Sequence, residues 1–226
     1  QFVHEFASCT FTRSHNNLTI SRRDFVPENE PALFSLLTLR NTSENARQLN
    51  VCLKASVNIR PSYESRLPNG ADVVSYQDGL VSASDSEAAG KWRLVFGCHQ
   101  TPEKHHIDNN EAILTYAVTL PAKGETTLHA LIAGEHTGGV DRARDRFASI
   151  HGQAVEMLGH KQKIYADRIL GGVKFDCSDK AINDAFTCAK ANVMMSEMDL
   201  QPNYPAPFLA AGFPIYTWLF GCDSLY

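Results

Sequence analysis

The stretch from Phe208 to Tyr226 concentrates the side chains best suited to chemistry on a sugar. It gathers Phe208, Phe213, Tyr216, Trp218, Phe220 and Tyr226 around Gly212, Pro214 and Gly221, and it holds one acid, Asp223. Flat rings offer apolar faces to the C–H face of a pyranose. An apolar surround raises a carboxyl pKa, so that such a group stays protonated and can serve as a general acid. The same spacing also fits a turn that leads into a helix, with the aromatics filling a core and Asp223 capping a helix begun at Ser224. Spacing alone leaves both readings open.

Other candidates read as ordinary structure. His105, His106, Asp108 and Glu111 could be drawn as a metal site, but adjacent side chains of a strand point to opposite faces, and the approach Thr101-Pro102-Glu103-Lys104 reads as a solvated loop. No metal is expected there or elsewhere. Six cysteines stand at 9, 52, 98, 177, 188 and 222 without a CxxC pair or zinc-finger spacing. They are expected to be mostly buried thiols in a reducing compartment. A nucleophilic Cys222 lacks a nearby His to activate it. Met194, Met195 and Met198 read as helix and core residues. Arg60-Pro61-Ser62-Tyr63 follows a strand and could present loop side chains to a neighbouring domain. The sequons Asn17-Leu18-Thr19 and Asn41-Thr42-Ser43 matter only in a secreted protein. There is no phosphate loop, dinucleotide fingerprint, recognisable Ser-His-Asp motif or internal repeat.

Two regimes of periodicity must position these groups. To about residue 135 the period is close to two: Leu18–Ser21, Leu33–Leu39, Leu49–Val57, Trp92–Phe96, Ile113–Leu120 and Thr127–Ile132 read as strands. Turn clusters separate them at Pro27–Glu30, Asn41–Ser43, Pro68–Gly70, Asp78-Gly79 and Pro121–Gly124. Many short strands with no helical pattern between them mean an antiparallel sandwich or barrel. After Thr137-Gly138-Gly139 the period changes. Phe147, Ile150, Ala154 and Leu158, with Tyr165 further on, share one helical face, weakened by Gly152 and Gly159 and ended by Gly171-Gly172. The mixed-charge run Asp141–Arg146 is its exposed start. A second helix, capped by Asp176 or Ser178, places Ile182, Phe186, Ala189, Val193 and Ser196 on one face and stops at Pro202 and Pro205.

Composition sets the outer bounds. Of 226 residues, 43% are hydrophobic and 20% charged, which argues against disorder. With 21 basic against 25 acidic residues the net charge is -4, and no Lys/Arg block tracks a phosphate backbone, so no nucleic-acid partner is expected. No run approaches the ~18 apolar residues of a membrane span, so no membrane partner is expected either. The start, Gln1-Phe2-Val3-His4-Glu5, lacks Met, as a processed or trimmed chain would. It also lacks the features of a signal peptide, and a cytoplasmic location is the expectation.

The segment Ala211-Gly212-Phe213-Pro214-Ile215-Tyr216-Thr217-Trp218-Leu219-Phe220-Gly221-Cys222-Asp223-Ser224-Leu225 resembles a signature of the (α/α)6-barrel glucosidases. The nearest likeness is to the bacterial and archaeal amylo-α-1,6-glucosidase group, of glycogen-debranching type, whose pattern runs roughly A-G-x-P-W-[FY]-x-x-x-F-G-R-D-[ST]. The resemblance implies a mainly β fold: an antiparallel β-sandwich over residues 1–137, a linker helix over 138–172, and over 173–226 the first helix and loop of a truncated (α/α)6 barrel. It implies an inverting glycoside hydrolase acting on α-glucosides, with Asp223 as general acid. A second carboxylate ~6.5–9.5 Å away would activate water in that mechanism. Tyr216, Trp218 and Phe220 would line the glucose subsite, and Gly221 would let the backbone approach the sugar. Ile215 stands where the family often has Trp, and Cys222 replaces the common Arg, removing a fixed cation.

The resemblance implies an α-glucan or oligosaccharide substrate and no cofactor. Its catalytic base, a Glu far along the barrel, has no counterpart in these residues, so the chain alone is expected to be inactive. Exposed aromatics at the C-terminus should drive self-association, or disorder beyond about Pro202. The rival reading is a non-catalytic β-sandwich module that binds carbohydrate or protein.

Overall fold

Leu33-Phe34-Ser35-Leu36-Leu37-Thr38-Leu39 carries apolar residues at odd and even positions alike, a pattern that suits only a strand covered on both faces. The computed structural model describes residues 2–5, 7–59, 72–85, 92–198 and 206–210 and shows that arrangement. In chain order the strands are β1 Phe2–Glu5, β2 Ser8–His15, β3 Leu18–Phe25, β4 Ala32–Asn41, β5 Arg47–Ser56, β6 Val73–Gln77, β7 Leu80–Ser84, β8 Arg93–Cys98, β9 Lys104–Asp108, β10 Glu111–Leu120 and β11 Glu125–Glu135. Helices α1 Val140–Ile150, α2 Ala154–Gly171 and α3 Lys180–Met195 follow, then the short strands β12 Glu197–Met198 and β13 Phe208–Leu209.

All the pairings are antiparallel. An eight-stranded sheet runs β1-β2-β3-β4-β11-β8-β7-β6, and a three-stranded sheet runs β5-β10-β9. The mainly β, antiparallel sandwich expected from the sequence is the fold, with helices after it.

Between the sheets lies one core, built from Leu39, Val81, Phe96, Leu128 and their neighbours on the large sheet and from Leu114, Tyr116, Val118 and Leu120 on β10. The other face of the large sheet carries a second core, in which Phe25, Phe34, Val95, Leu131 and Ala133 meet Ala143, Phe147 and Ile150 of α1 and Ala154 and Leu158 of α2. Strand β11 shows the division. Leu128 faces the small sheet, while Leu131 and Ala133 face the helices. The small sheet is covered on one side only, so β5 alternates strictly, with Leu49, Val51, Leu53 and Ala55 turned inward.

Tight turns set the registers. Asn16 and Asn17 (φ 47° and 60°) join β2 to β3, and Asp78 and Gly79 (φ 53° and 83°) join β6 to β7. Positive φ at both central residues is the hairpin geometry that matches strand twist, and Asn, Asp and Gly tolerate it. Asn41 closes another corner. Its amide donates to the carbonyls of Asn45 (2.8 Å) and Pro121 (2.9 Å), and its oxygen accepts from the backbone and hydroxyl of Ser43. Fully buried and fully bonded, Asn41 is out of reach of glycosylation in the folded chain.

Three expectations need correction. The linker stretch is two helices, not one, because the chain turns at His151-Gly152-Gln153 before Ala154 starts α2. Glycine is a poor helix interior residue. The stripe Phe147, Ile150, Ala154, Leu158 is nonetheless buried on one surface. Lys104–Asp108 is a strand and not a solvated loop: Asn109-Asn110 turns it onto β10, and the ladder outweighs its polar composition. The cysteines are not mostly buried. Of the five described, Cys98 alone is buried, Cys9 and Cys177 are half-buried, and Cys52 and Cys188 are exposed. Cys9, Cys52, Cys98 and Cys188 follow their strand or helix positions, and Cys177 its place in the loop before α3, rather than their type.

Cys98 sits in the sandwich core, where its backbone N–H donates to the Tyr116 hydroxyl at 3.1 Å. Burial pushes the Cys98 thiol up to about 11 and raises the Tyr116 phenol as well, so both stay neutral.

At the exit from β11, Glu135 organises the crossing from sheet to helix. Its carboxylate is buried and accepts from the N–H groups of His136 and Thr137 (both 2.8 Å) and from the Thr137 hydroxyl (2.9 Å). Arg146 of α1 pairs with it at 3.0 Å and also reaches the Gly134 carbonyl and Glu30. The hydrogen bonds from Thr137 and His136, with Arg146 beside them, hold the Glu135 carboxyl down at about 2.

Two outcomes follow from this packing. Leu131→Ala removes a side chain only 1% exposed between sheet and helices and should lower stability by about 2–5 kcal/mol in urea unfolding. Because the folded Glu135 pKa is depressed, its stabilisation is complete above the unfolded carboxyl value and is lost as pH falls from about 4.5 towards 2. Unfolding midpoints measured across that window should fall steeply in the parent and less steeply in Glu135→Gln.

Candidate functional site

The chain divides into two compact units, one of Gln1–Ile59 with Asn69–Lys161 and the other of Gln162–Tyr226 with Arg60–Pro68. The aromatic segment belongs to the second unit, and its approach is built from α3. Asp179 caps that helix: its carboxylate accepts the Ala181 N–H at 2.8 Å. This corrects the expectation of Asp176 or Ser178. Asp176 instead accepts from the Asn183 amide (3.0 Å), which also bonds the backbone of Cys177 at both its N–H and its carbonyl.

Two basic residues tie the second unit together. Lys190 of α3 donates to the carbonyls of Ile169 and of Val173 (2.8 Å for the latter), placing a cation at the C-terminal end of α2. That is where the unpaired carbonyls and the helix dipole favour one. Arg168 of α2 pairs with Glu197, the first residue of β12.

Beyond α3 the chain forms a short ladder, with Glu197 opposite Leu209 and Met198 opposite Phe208. The Ala210 N–H then donates to the Ser196 carbonyl at 2.8 Å, and Ala210 is buried. Ala210, the last described residue, is thus held at the C-terminal end of α3. Asp223, Tyr216, Trp218, Phe220 and Gly221, with Ile215 and Cys222, lie outside the described residues, as do Arg60–Tyr63 and Pro202–Pro205.

The expected apolar face of α3 exists in sequence but is not buried. Ile182 is 50% and Val193 54% exposed, and Ala191 is the buried residue of the helix. Phe186, Ala189, Val193 and Met194 line an open groove of about 370 Å³ with Arg168 and Lys190 at its edge. Both cations are already engaged, so this groove offers apolar surface and not chemistry.

The histidine cluster does not assemble into a metal site. His105 stacks on Tyr76 at 3.6 Å between ring centres, bridging β9 to β6, and Glu111 pairs with Lys54 at 2.8 Å. Among the described residues no three His, Cys, Asp or Glu side chains converge as metal ligands. No helix there is long and apolar enough to cross a membrane.

Sequence reasoning missed Glu135, whose type and position carry no motif. Its signal was the pair Glu135…Arg146, which looks like solvated charge until the β11–α1 crossing brings the two residues together. For the second unit, Asp179→Ala should cost about 0.5–2 kcal/mol. Amide exchange should show this as faster opening of the first turn of α3, with the β-sheet amides unchanged.

Residues 1–64 match the family described as "Glycosyl hydrolase 94, supersandwich domain". Among solved structures, one described as a "Putative kojibiose phosphorylase from human microbiome" superposes with a TM-score of 0.59 at 14% identity, over 84% of this chain and 27% of that chain. The present chain thus spans about a quarter of the length of that structure. An α-galactosidase from Lactobacillus brevis is a weaker likeness, with a TM-score of 0.37 at 10% identity over 65% of this chain and 25% of that chain. No curated protein matches in sequence. At such identities the kojibiose phosphorylase likeness speaks to the fold alone, a supersandwich followed by helices.

Proposed function

We propose that this chain is the sandwich and first barrel segment of a cytoplasmic, inverting enzyme that cleaves α-glucosides, of the glycogen-debranching, amylo-α-1,6-glucosidase type. The observation that carries the reading is the order of parts. A supersandwich match opens the chain, helices follow, and a ladder held at Ser196 and Ala210 leads straight into the aromatic segment that bears Asp223.

In this reading Asp223 donates its proton to the glycosidic oxygen as the bond from that oxygen to the anomeric carbon breaks. A base beyond these residues takes a proton from water, which attacks the anomeric carbon from the opposite face. Tyr216, Trp218 and Phe220 supply stacking surfaces and the low-polarity surround that keeps Asp223 protonated. Gly221 leaves room for the sugar beside the backbone. No cofactor is needed for these steps.

A second reading keeps the acid and changes the acceptor. Phosphate attacks in place of water, and the product is a glucose 1-phosphate. The phosphorylase description of the structure at TM-score 0.59 favours it.

The test uses the protein made from its native gene, incubated with α-1,6- and α-1,4-linked glucans and with kojibiose, with and without inorganic phosphate. Free glucose independent of phosphate supports hydrolysis, and glucose 1-phosphate formed only with phosphate supports the second reading. Cleavage of none of these substrates, with sugar binding retained, would leave the non-catalytic module. Asp223→Asn should lower kcat by about 10²–10⁴-fold, the usual contribution of a general acid, while sugar binding is kept.

A further inference from the structure

The first unit holds a cleft with no part in the reading above. It opens where the β6–β7 turn, the end of β8 and the last turn of α1 converge, has a volume of about 230 Å³, and is lined by Asp78, His99, Gln100, Thr101, Phe147 and His151 among others. Drug-sized pockets run about 300–1,000 Å³, so this one suits a smaller occupant.

The hydrogen-bonding character of its walls is set by geometry. The His129 backbone N–H donates to His99 Nδ1 at 3.3 Å, so neutral His99 carries its proton on Nε2 and has a donor to offer. His151 Nδ1 lies 2.8 Å from the Ala148 carbonyl, which can only accept. Nδ1 therefore carries the proton, and Nε2 is left as an acceptor. The His151 ring is held flat against Phe147, with centres 5.8 Å apart and planes 7° from parallel. Phe147 is itself buried in the helix-side core. Both imidazoles are thus oriented before any ligand arrives.

Gln100 and Thr101 add an amide and a hydroxyl, each able to donate and accept. Asp78 adds an acceptor on a turn whose backbone is fixed by positive φ. Among the described residues no lysine or arginine lines the cleft, and the one carboxylate among them opposes an anion. A single carboxylate among neutral groups is likewise a poor cation site. What fits is a small neutral molecule that donates and accepts around its rim and has an apolar face to rest on a flat ring.

We infer that this cleft binds one pyranose unit of a neutral saccharide, as a site separate from Asp223. It stands on the first unit, sandwich and α1 together, and does not depend on the chain belonging to a hydrolase.

The experiment is a titration of the full protein with D-glucose, maltose and, separately, inorganic phosphate, followed by two-dimensional amide NMR. Saturable shifts with either sugar at residues 78–80, 98–101 and 147–151 are expected, and they should persist in Asp223→Asn. Gln100→Ala and His151→Ala should each weaken binding about tenfold, with thermal midpoints close to the parent's. If His151→Ala does not fold, Gln100→Ala carries the test.

Absence of saturable shifts at these residues, cleft binding undiminished in the folded variants, or a response to phosphate alone would each overturn the inference. Cleavage by the native gene product without sugar shifts at this cleft would sink this inference and leave the proposed function standing. Sugar shifts here without cleavage would do the reverse.

Discussion

The large sheet must be covered on both faces, and most of the molecule follows from that. Strands β4, β8 and β11 are apolar on each side, so a sandwich with the small sheet alone would leave Phe34, Val95, Leu131 and Ala133 in water. Helix α1 and the start of α2 bury them. Each large apolar side chain transferred from water contributes roughly 1.5–3 kcal/mol, enough in sum to fix where the helices lie. Arg144 adds a polar tie, reaching the Gln77 carbonyl and the Ser82 hydroxyl from α1.

This packing also explains the charge network at the crossing. A helix laid over the face of the large sheet requires a sharp turn after β11, and the turn directs the His136 and Thr137 N–H groups at the Glu135 carboxylate. Glu135 accepts two of them and a hydroxyl, and Arg146 neutralises the carboxylate. A buried charge without those partners is costly. Glu135 and Arg146 are therefore structural, despite the acid being the most strongly shifted carboxyl among the described residues.

In the second unit the same economy of ends prevails. The side chain of Asp179 meets the first turn of α3, and Lys190 meets the last carbonyls of α2. The ladder of β12 with β13 then returns the chain to Ser196. These contacts leave Ala210, the last described residue, hydrogen-bonded and buried.

Much of this was legible in the sequence, for reasons particular residues make plain. Each of the six stretches read as strands is a strand, because Leu, Ile, Val and Thr at period two have few other uses. Asn29, Asp78 and Gly79 fall in stretches that read as turns, because few other residues accept positive φ, whereas the turns at Asn16-Asn17 and Asn109 were not among them. The stripe Phe147, Ile150, Ala154, Leu158 announced a helical face, although not the break at Gly152. Strands β2, β6, β7 and β9 were not legible. Ser8–His15 and Lys104–His106 are polar, and Ser82 and Ala83 are small, so their burial or pairing depends on partners far away in the chain.

Local composition by itself determined the mainly β sandwich and the change to helix near residue 138. It did so because periodicity and turn chemistry act over a few residues. Only the tertiary structure decided that Cys98 is buried and Cys52 exposed, that His105 lies on Tyr76, that the α3 face stays open, and that Glu135 is held as an anion. Those outcomes depend on which groups meet across long stretches of chain, and a one-dimensional pattern carries no term for that meeting.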